Sequence, residues 1–147
     1  MATRITVFNS KELQGTILLM RGAGREIAKE IRGRTKSVID PIWKDAVTLK
    51  ASTSLERQVL AATARTAVSD QNVTLSVATV GKALKGGAKP VDIVAGVEFG
   101  AKAYKQFKGR NRKGYVVMPA LADVIPRIAS LWVATVVRTF YEILERK

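Results

Sequence analysis

Apolar side chains recur at helical spacing from Lys11 onward. Leu13, Ile17, Met20, Gly24, Ile27, Ile31, Val38 and Ile42 fall on one face, three, four or seven residues apart, which predicts a long N-terminal helix. Asn9 or Ser10 suits its N-cap, and Ile5, Val7 and Phe8 before it suit a short strand or a docking arm. Gly15, Gly22 and Gly24 each weaken the helix by about 1 kcal/mol against Ala. Fraying or a kink is therefore expected near Gly22, with Gly24 allowing another backbone to approach. Asp40-Pro41 predicts a break and a restart, since Asp caps well and Pro fits the first helical position. The short helix that follows carries Trp43 among Ile42, Ala46 and Val47, so Trp43 reads as a core anchor rather than a stacking platform.

The middle of the chain changes period. Ala51 to Ser54 is small and polar, a loop. Thr53 with Glu56 forms a capping-box pattern that favours a helix, yet Leu60, Ala62, Ala64, Thr66 and Val68 also alternate with Val59, Ala61, Thr63, Arg65 and Ala67. Ser69-Asp70-Gln71-Asn72 is a turn signal, and Val73, Leu75 and Val77 alternate with Thr74, Ser76 and Ala78 beyond it. A strand after a tight turn pairs most simply with one before it, so a β-hairpin from Arg57 to Val80 is expected. Gly81 to Lys89 is a loop with Gly86-Gly87 and Lys82, Lys85 and Lys89. Val91 to Phe99 has helical spacing and stops at Gly100. Tyr115-Val116-Val117 reads as a short strand, and Pro119 opens a last helix. Its stripe is Leu121, Ile125, Ile128, Ala129, Trp132, Val133, Val136, Phe140, Ile143 and Leu144, with Pro126 early enough to bend it. The fold class expected is α+β: a β-hairpin-based antiparallel sheet packed against a long N-terminal helix and a long C-terminal helix. Residues 1–147 form a single domain with flexible basic loops at about 81–90 and 101–114.

Composition narrows the chemistry. At 147 residues and 47% apolar, one domain with a real core is expected. Cysteine and histidine are absent, which removes disulfides, thiolate chemistry, the usual zinc sites and histidine general-base catalysis. The acids are scattered, as in Asp92 and Glu98, Asp40 and Asp45, or Glu142 and Glu145, and the glycines at Gly86 lack the Gly-Lys-Ser/Thr ending of a phosphate loop. The expectation is a non-enzymatic protein with no cofactor and no metal. No long apolar run follows Met1-Ala2-Thr3-Arg4-Ile5. The uncharged run Ile128 to Val137 is about half the ~20 residues of a membrane span, so neither a leader nor a membrane partner is expected.

Charge changes the picture most. Lys and Arg number 25 against 12 Asp and Glu, a net +13, which points to polyanions or acidic partners. Lys102, Lys105, Lys108, Arg110, Arg112 and Lys113 lie within one loop that holds no acid and interleaves Tyr104 and Phe107. On the N-terminal helix, Arg21, Arg25, Lys29, Arg32 and Lys36 fall within an arc of about 80°. Five like charges repel, so this face either meets an anion or is simply solvated. No recognition-helix or RNA-binding signature is present, so any nucleic-acid contact would run through backbone charge.

The frame around the basic loop carries a resemblance. Val97-Glu98-Phe99-Gly100, followed at loop distance by Tyr115, Pro119-Ala120 and a final helix, resembles a tail-component family of long-tailed bacteriophages whose members complete the tail or join it to the head. Ala64 to Val73, Gly81 to Pro90 and Ile128-Ala129-Ser130-Leu131-Trp132 fit the same frame, so the similarity runs from about Arg57 onward. Where that family often has Pro…Thr-Gly-x-Leu, this chain reads Val47-Thr48-Leu49-Lys50-Ala51-Ser52-Thr53-Ser54-Leu55. The resemblance implies a structural virion protein of the head–tail junction, formed in the host cytoplasm. It implies a homo-oligomeric, hexameric ring that meets neighbouring neck and tail-tube proteins; in such a ring the charge layout adds that a basic face turned inward would contact duplex DNA in the channel without sequence preference. It also implies that Glu98, Phe99 and Gly100, with Pro119, are a structural corner. The alternative is a free, non-specific nucleic-acid-binding protein.

Overall fold

A computed structural model describes residues 1–6, 15, 22, 24–69, 72–79, 81–84, 86–102 and 107–145. The expected cap at Asn9 or Ser10, the first helical turns from Lys11, Asp70-Gln71 of the turn, and the site candidates Arg21 and Lys105 lie outside the described residues.

The chain is mixed helix and sheet. Strand β1 (Ala2–Thr6) precedes helix α1 (Arg25–Lys50), a single helical turn α2 (Ser54–Glu56) and a π-helical turn (Arg57–Ala61). Strands β2 (Arg65–Val68) and β3 (Asn72–Ser76) follow, then α3 (Pro90–Phe99) and α4 (Val117–Glu145). The sheet is antiparallel in the order β1-β3-β2, with Ile5 and Val68 both opposite Val73. The Met1 and Val77 backbones extend the β1–β3 ladder by one more N–H to C=O pair.

Helix α1 holds the layers together. Its buried row is Ala28, Ile31, Thr35, Ile39, Trp43 and Val47, a spacing of three and then fours. Trp43 is fully buried and its Nε1 donates to the Ser76 carbonyl at 3.1 Å, fixing α1 to β3. Helix α4 packs antiparallel along α1. Lys50 reaches Asp123 at one end of the pair (3.2 Å), and Arg34 bridges Glu142 and Glu30 at the other. Val124, Ile128, Trp132 and Val136 form the buried row of α4. By length and composition Val117–Ile143 is apolar enough to cross a membrane, but that is also the profile of a helix that packs in a core.

Several local expectations are corrected. Helix α1 runs unbroken through Pro41. Proline removes one N–H and crowds the previous turn, but Pro41 is exposed, the Asp40–Lys44 ion pair (2.9 Å) spans it, and burial of Ile39 and Trp43 on either side holds both halves on one axis. Val38 is 40% exposed and off the buried row, which passes instead through Thr35 and Ile39. Gly24 has a φ of 80° and caps α1 in the left-handed region; among the described residues no atom lies within 4 Å of where its Cβ would be.

The expected hairpin shortens to 65–76, because Arg57–Ala61 is helical. The Thr53–Glu56 capping box forms in full and starts the turn. Val59 and Leu60 are both fully buried, which a half-buried strand does not permit for adjacent residues. The Thr63 hydroxyl then donates to the Val59 carbonyl and accepts from the Ala78 N–H (2.8 Å), tying the helical exit to the end of the sheet. Val117 likewise belongs to α4 rather than to a strand.

Trp43→Ala removes a fully buried indole and its bond to Ser76. Urea unfolding is expected to show a loss of about 3–5 kcal/mol; a loss under about 1 kcal/mol would mean that α1 does not carry the layers.

Candidate functional site: the clamped basic loop

The corner at the end of α3 is built around one carboxylate. Glu98 is completely buried. Its Oε1 accepts from the N–H groups of Val116 (3.0 Å) and Val117 (2.7 Å), and its Oε2 accepts from Met118 (3.0 Å). The first amides of a helix have no partner within it, and the helix dipole favours an anion there. Glu98 therefore acts as the N-cap of α4 from 19 residues upstream of Val117. This explains why the Tyr115-Val116-Val117 run is not a strand: the Val116 and Val117 amides are turned onto a carboxylate. Pro119 falls in the first turn of α4, where a missing N–H costs nothing.

The backbone on either side is pinned as well. The Glu98 carbonyl accepts from Tyr115 N–H (2.9 Å), the Phe99 carbonyl from Asn111 N–H (2.7 Å), and Ala101 N–H donates to the Lys108 carbonyl (2.9 Å). Gly100 and Gly114 make this closure possible. Each has a positive φ, and an added Cβ would lie 2.1 Å from the Gly109 oxygen or 2.0 Å from Glu98 Oε2, respectively. Asn111 closes the turn through Lys113 N–H (3.0 Å) and the Gly114 carbonyl (3.3 Å).

The cations divide on this frame. Lys108 is turned inward: its Nζ lies 3.2 Å from Glu56 Oε2, 3.1 Å from Ser52 Oγ and 4.8 Å from the Tyr115 ring centre. Lys108 thus has a role within the fold, tying the loop to the Thr53–Glu56 turn. Lys102, Arg110, Arg112 and Lys113 are exposed and form no ion pair with any described residue. Arg110 and Arg112 border a shallow cleft with Phe99 and Gly100. On α1, Arg25, Lys29 and Lys36 are exposed and Arg32 is half-buried.

These two basic regions are not brought together. The loop sits at the N-terminal end of α4, beside the Lys50 end of α1. Arg25 to Lys36 lie roughly 20–40 Å along α1 from Lys50 at 1.5 Å per residue. Among the described residues no group of three or more acids or other ligating side chains is arranged to hold a metal.

The Glu56–Lys108 pair is the element that sequence reading missed. The capping box was legible, but its partner lies 52 residues away in a loop that reads as solvent-facing. Glu56 is only 3% exposed. Burial alone would push its carboxyl up; the Ser52 N–H, Lys108, the Ser52 hydroxyl and the Thr53 N–H together outweigh that and hold it below the ordinary value. Comparison with known protein families, curated proteins and solved structures finds no match to this chain.

Two predictions follow from the clamp's charges. Glu98→Gln keeps the shape but removes the anion, and thermal unfolding is expected to show a loss of about 1.5–3 kcal/mol; unchanged stability would show that the α4 amides do not need the charge. For Glu56 the depressed carboxyl implies stability that is present above pH 4.5 and lost as pH falls through the folded value. Melting temperatures of the wild type and Glu56→Gln should thus differ at neutral pH and converge in acid; parallel curves would refute the linkage.

Proposed function

We propose that this chain is a structural, non-enzymatic virion protein of the head–tail junction of a long-tailed phage, completing or terminating the tail or joining it to the neck as a subunit of a hexameric ring. The observation that carries the reading is the ordered frame Val97-Glu98-Phe99-Gly100, basic loop, Tyr115, Pro119-Ala120 and last helix. Its support is physical as well as textual. The residues that carry the resemblance are joined through Glu98 into one unit that sets where α4 begins.

The clamp presents Arg110, Arg112 and Lys113 on a hydrogen-bonded base, so docking them on an acidic neighbouring subunit orders few further residues. Neighbouring neck and tail-tube proteins are the partners in this reading, with duplex DNA in the channel held by charge alone. The protein would be found in the virion, and in the host cytoplasm during assembly. The second reading, a free non-specific nucleic-acid binder, is favoured by the exposed cations Arg25, Lys29 and Lys36 on α1, which lie far from the clamp.

Replacing Lys102, Arg110, Arg112 and Lys113 by Ser leaves Lys108 in its internal role. The melting temperature is expected to hold while the yield of joined, infectious particles falls at least about tenfold, a loss of about 1.4 kcal/mol or more in docking. Normal yield would remove the loop from assembly. Immunogold electron microscopy of purified particles tests the reading as a whole: label at the head–tail junction is expected, and label absent from intact particles overturns it in favour of the nucleic-acid binder.

A further inference from the structure

The α1–α4 pair ends in two different shapes. At the Lys50 end Leu49 projects from α1 with 83% of its surface exposed, beside a cleft lined by Ile42, Ala46 and Val124. At the Arg34 end a groove of about 530 Å³ opens between the helices, with Gly33, Ser37 and Val38 from α1 and Thr135 and Thr139 from α4. One end carries an apolar knob and the other a hollow.

The groove fits an apolar guest. Gly33 sits inside α1, where glycine is disfavoured against alanine. No described atom lies within 4 Å of where its Cβ would be, so the fold does not itself call for glycine there. The hydroxyls of Ser37, Thr135 and Thr139 donate to the carbonyls of Gly33 (2.9 Å), Leu131 (2.7 Å) and Thr135 (2.7 Å) on their own helices. An apolar side chain entering the groove therefore strands no hydroxyl donor.

Charge decides whose side chain enters. The chain carries a net +13, so copies repel wherever cations are not balanced. Both ends of the pair are balanced. Asp45 and Asp123 stand with Lys50 and Arg127 around the knob, and Glu30 and Glu142 stand with Arg34 and Arg138 around the groove. An acidic partner or a polyanion gains little from such surfaces, whereas a second copy of this chain meets no excess of its own sign. Asp45 and Arg138 are exposed and form no ion pair with any described residue, which leaves an acid beside the knob and a cation beside the groove.

We infer that these surfaces form the contact between copies of this chain: Leu49 of one copy enters the Gly33 groove of the next, and Asp45 meets Arg138 across it. Each copy is guest to one neighbour and host to another, the head-to-tail contact by which rings close. The inference rests on the ring-subunit reading only in requiring that copies associate. Immunogold label at the junction with a chain that does not self-associate sinks the contact alone, and assembly through Leu49 with no label on particles sinks that reading alone.

Sedimentation velocity of the full chain at about 0.1 mM tests the contact. The wild type is expected to sediment as an oligomer, and Leu49→Asp and Gly33→Leu each as a monomer, a loss of at least about tenfold in affinity. Melts of dilute, monomeric samples should show Leu49→Asp unchanged and Gly33→Leu unchanged or higher, since leucine is the better helix former, so neither loss is one of folding. An equimolar mixture of the two variants keeps one intact knob and one intact groove, and is expected to form one-to-one dimers. Asp45→Arg should weaken association, and Asp45→Arg with Arg138→Asp should recover it. Association unaffected by Leu49→Asp, or a mixture that stays monomeric, overturns the proposal. So does a monomeric wild type; co-flotation of that monomer with phosphatidylcholine vesicles, lost in Leu49→Asp, would give the knob to a lipid surface instead.

Discussion

The buried carboxylate of Glu98 is the constraint on which the rest of the C-terminal half depends. It sits at the end of α3 and takes the first amides of α4, so the two helices share one joint. A helix of 29 residues can begin at several points along an apolar stripe. The carboxylate selects one, because only there does it meet three amides within hydrogen-bond reach, with Gly114 leaving room for its oxygen. Once the start is set, the phase of α4 is set too, and Val124, Ile128, Trp132 and Val136 turn onto α1.

The distribution of charge follows from the same economy. With 25 cations and 12 acids, most basic side chains cannot find an internal partner. Those that do have structural tasks. Lys108 neutralises a nearly buried glutamate, Lys50 and Arg34 join α1 to α4 at its two ends, and Lys44 spans Pro41. Exposed pairs of this kind contribute little each to stability. Lys108 differs because Glu56 is shielded from water and caps a helical turn at the same time. Among the described residues, exposed cations stand in separate places: Lys102, Arg110, Arg112 and Lys113 on the clamp, Arg25, Lys29 and Lys36 along α1, and Arg65 on β2.

Sequence pattern alone determined the class of the fold and most of its helices and turns. The 3.6-residue periods of α1 and α4 and the alternation of Val73 and Leu75 survive in the structure. So do the capping box at Thr53 and the stop at Gly100, because each depends on neighbours within a few residues. The role of Trp43 as a core anchor was legible for the same reason. What tertiary structure decided was every choice in which local preference was balanced or reversed. Helix α1 passes through Pro41 because core burial on both sides outweighs one lost hydrogen bond. Arg57–Ala61 is helical rather than extended because Val59 and Leu60 must both be buried and Thr63 is tied to Ala78. Val116 and Val117, β-formers by composition, become a helix start because a carboxylate from another element is aimed at their amides. Lys108 is taken out of the basic loop by a glutamate 52 residues away. Local sequence carries no record of such distant partners; the energy of burying and pairing them appears only when the chain has closed on itself.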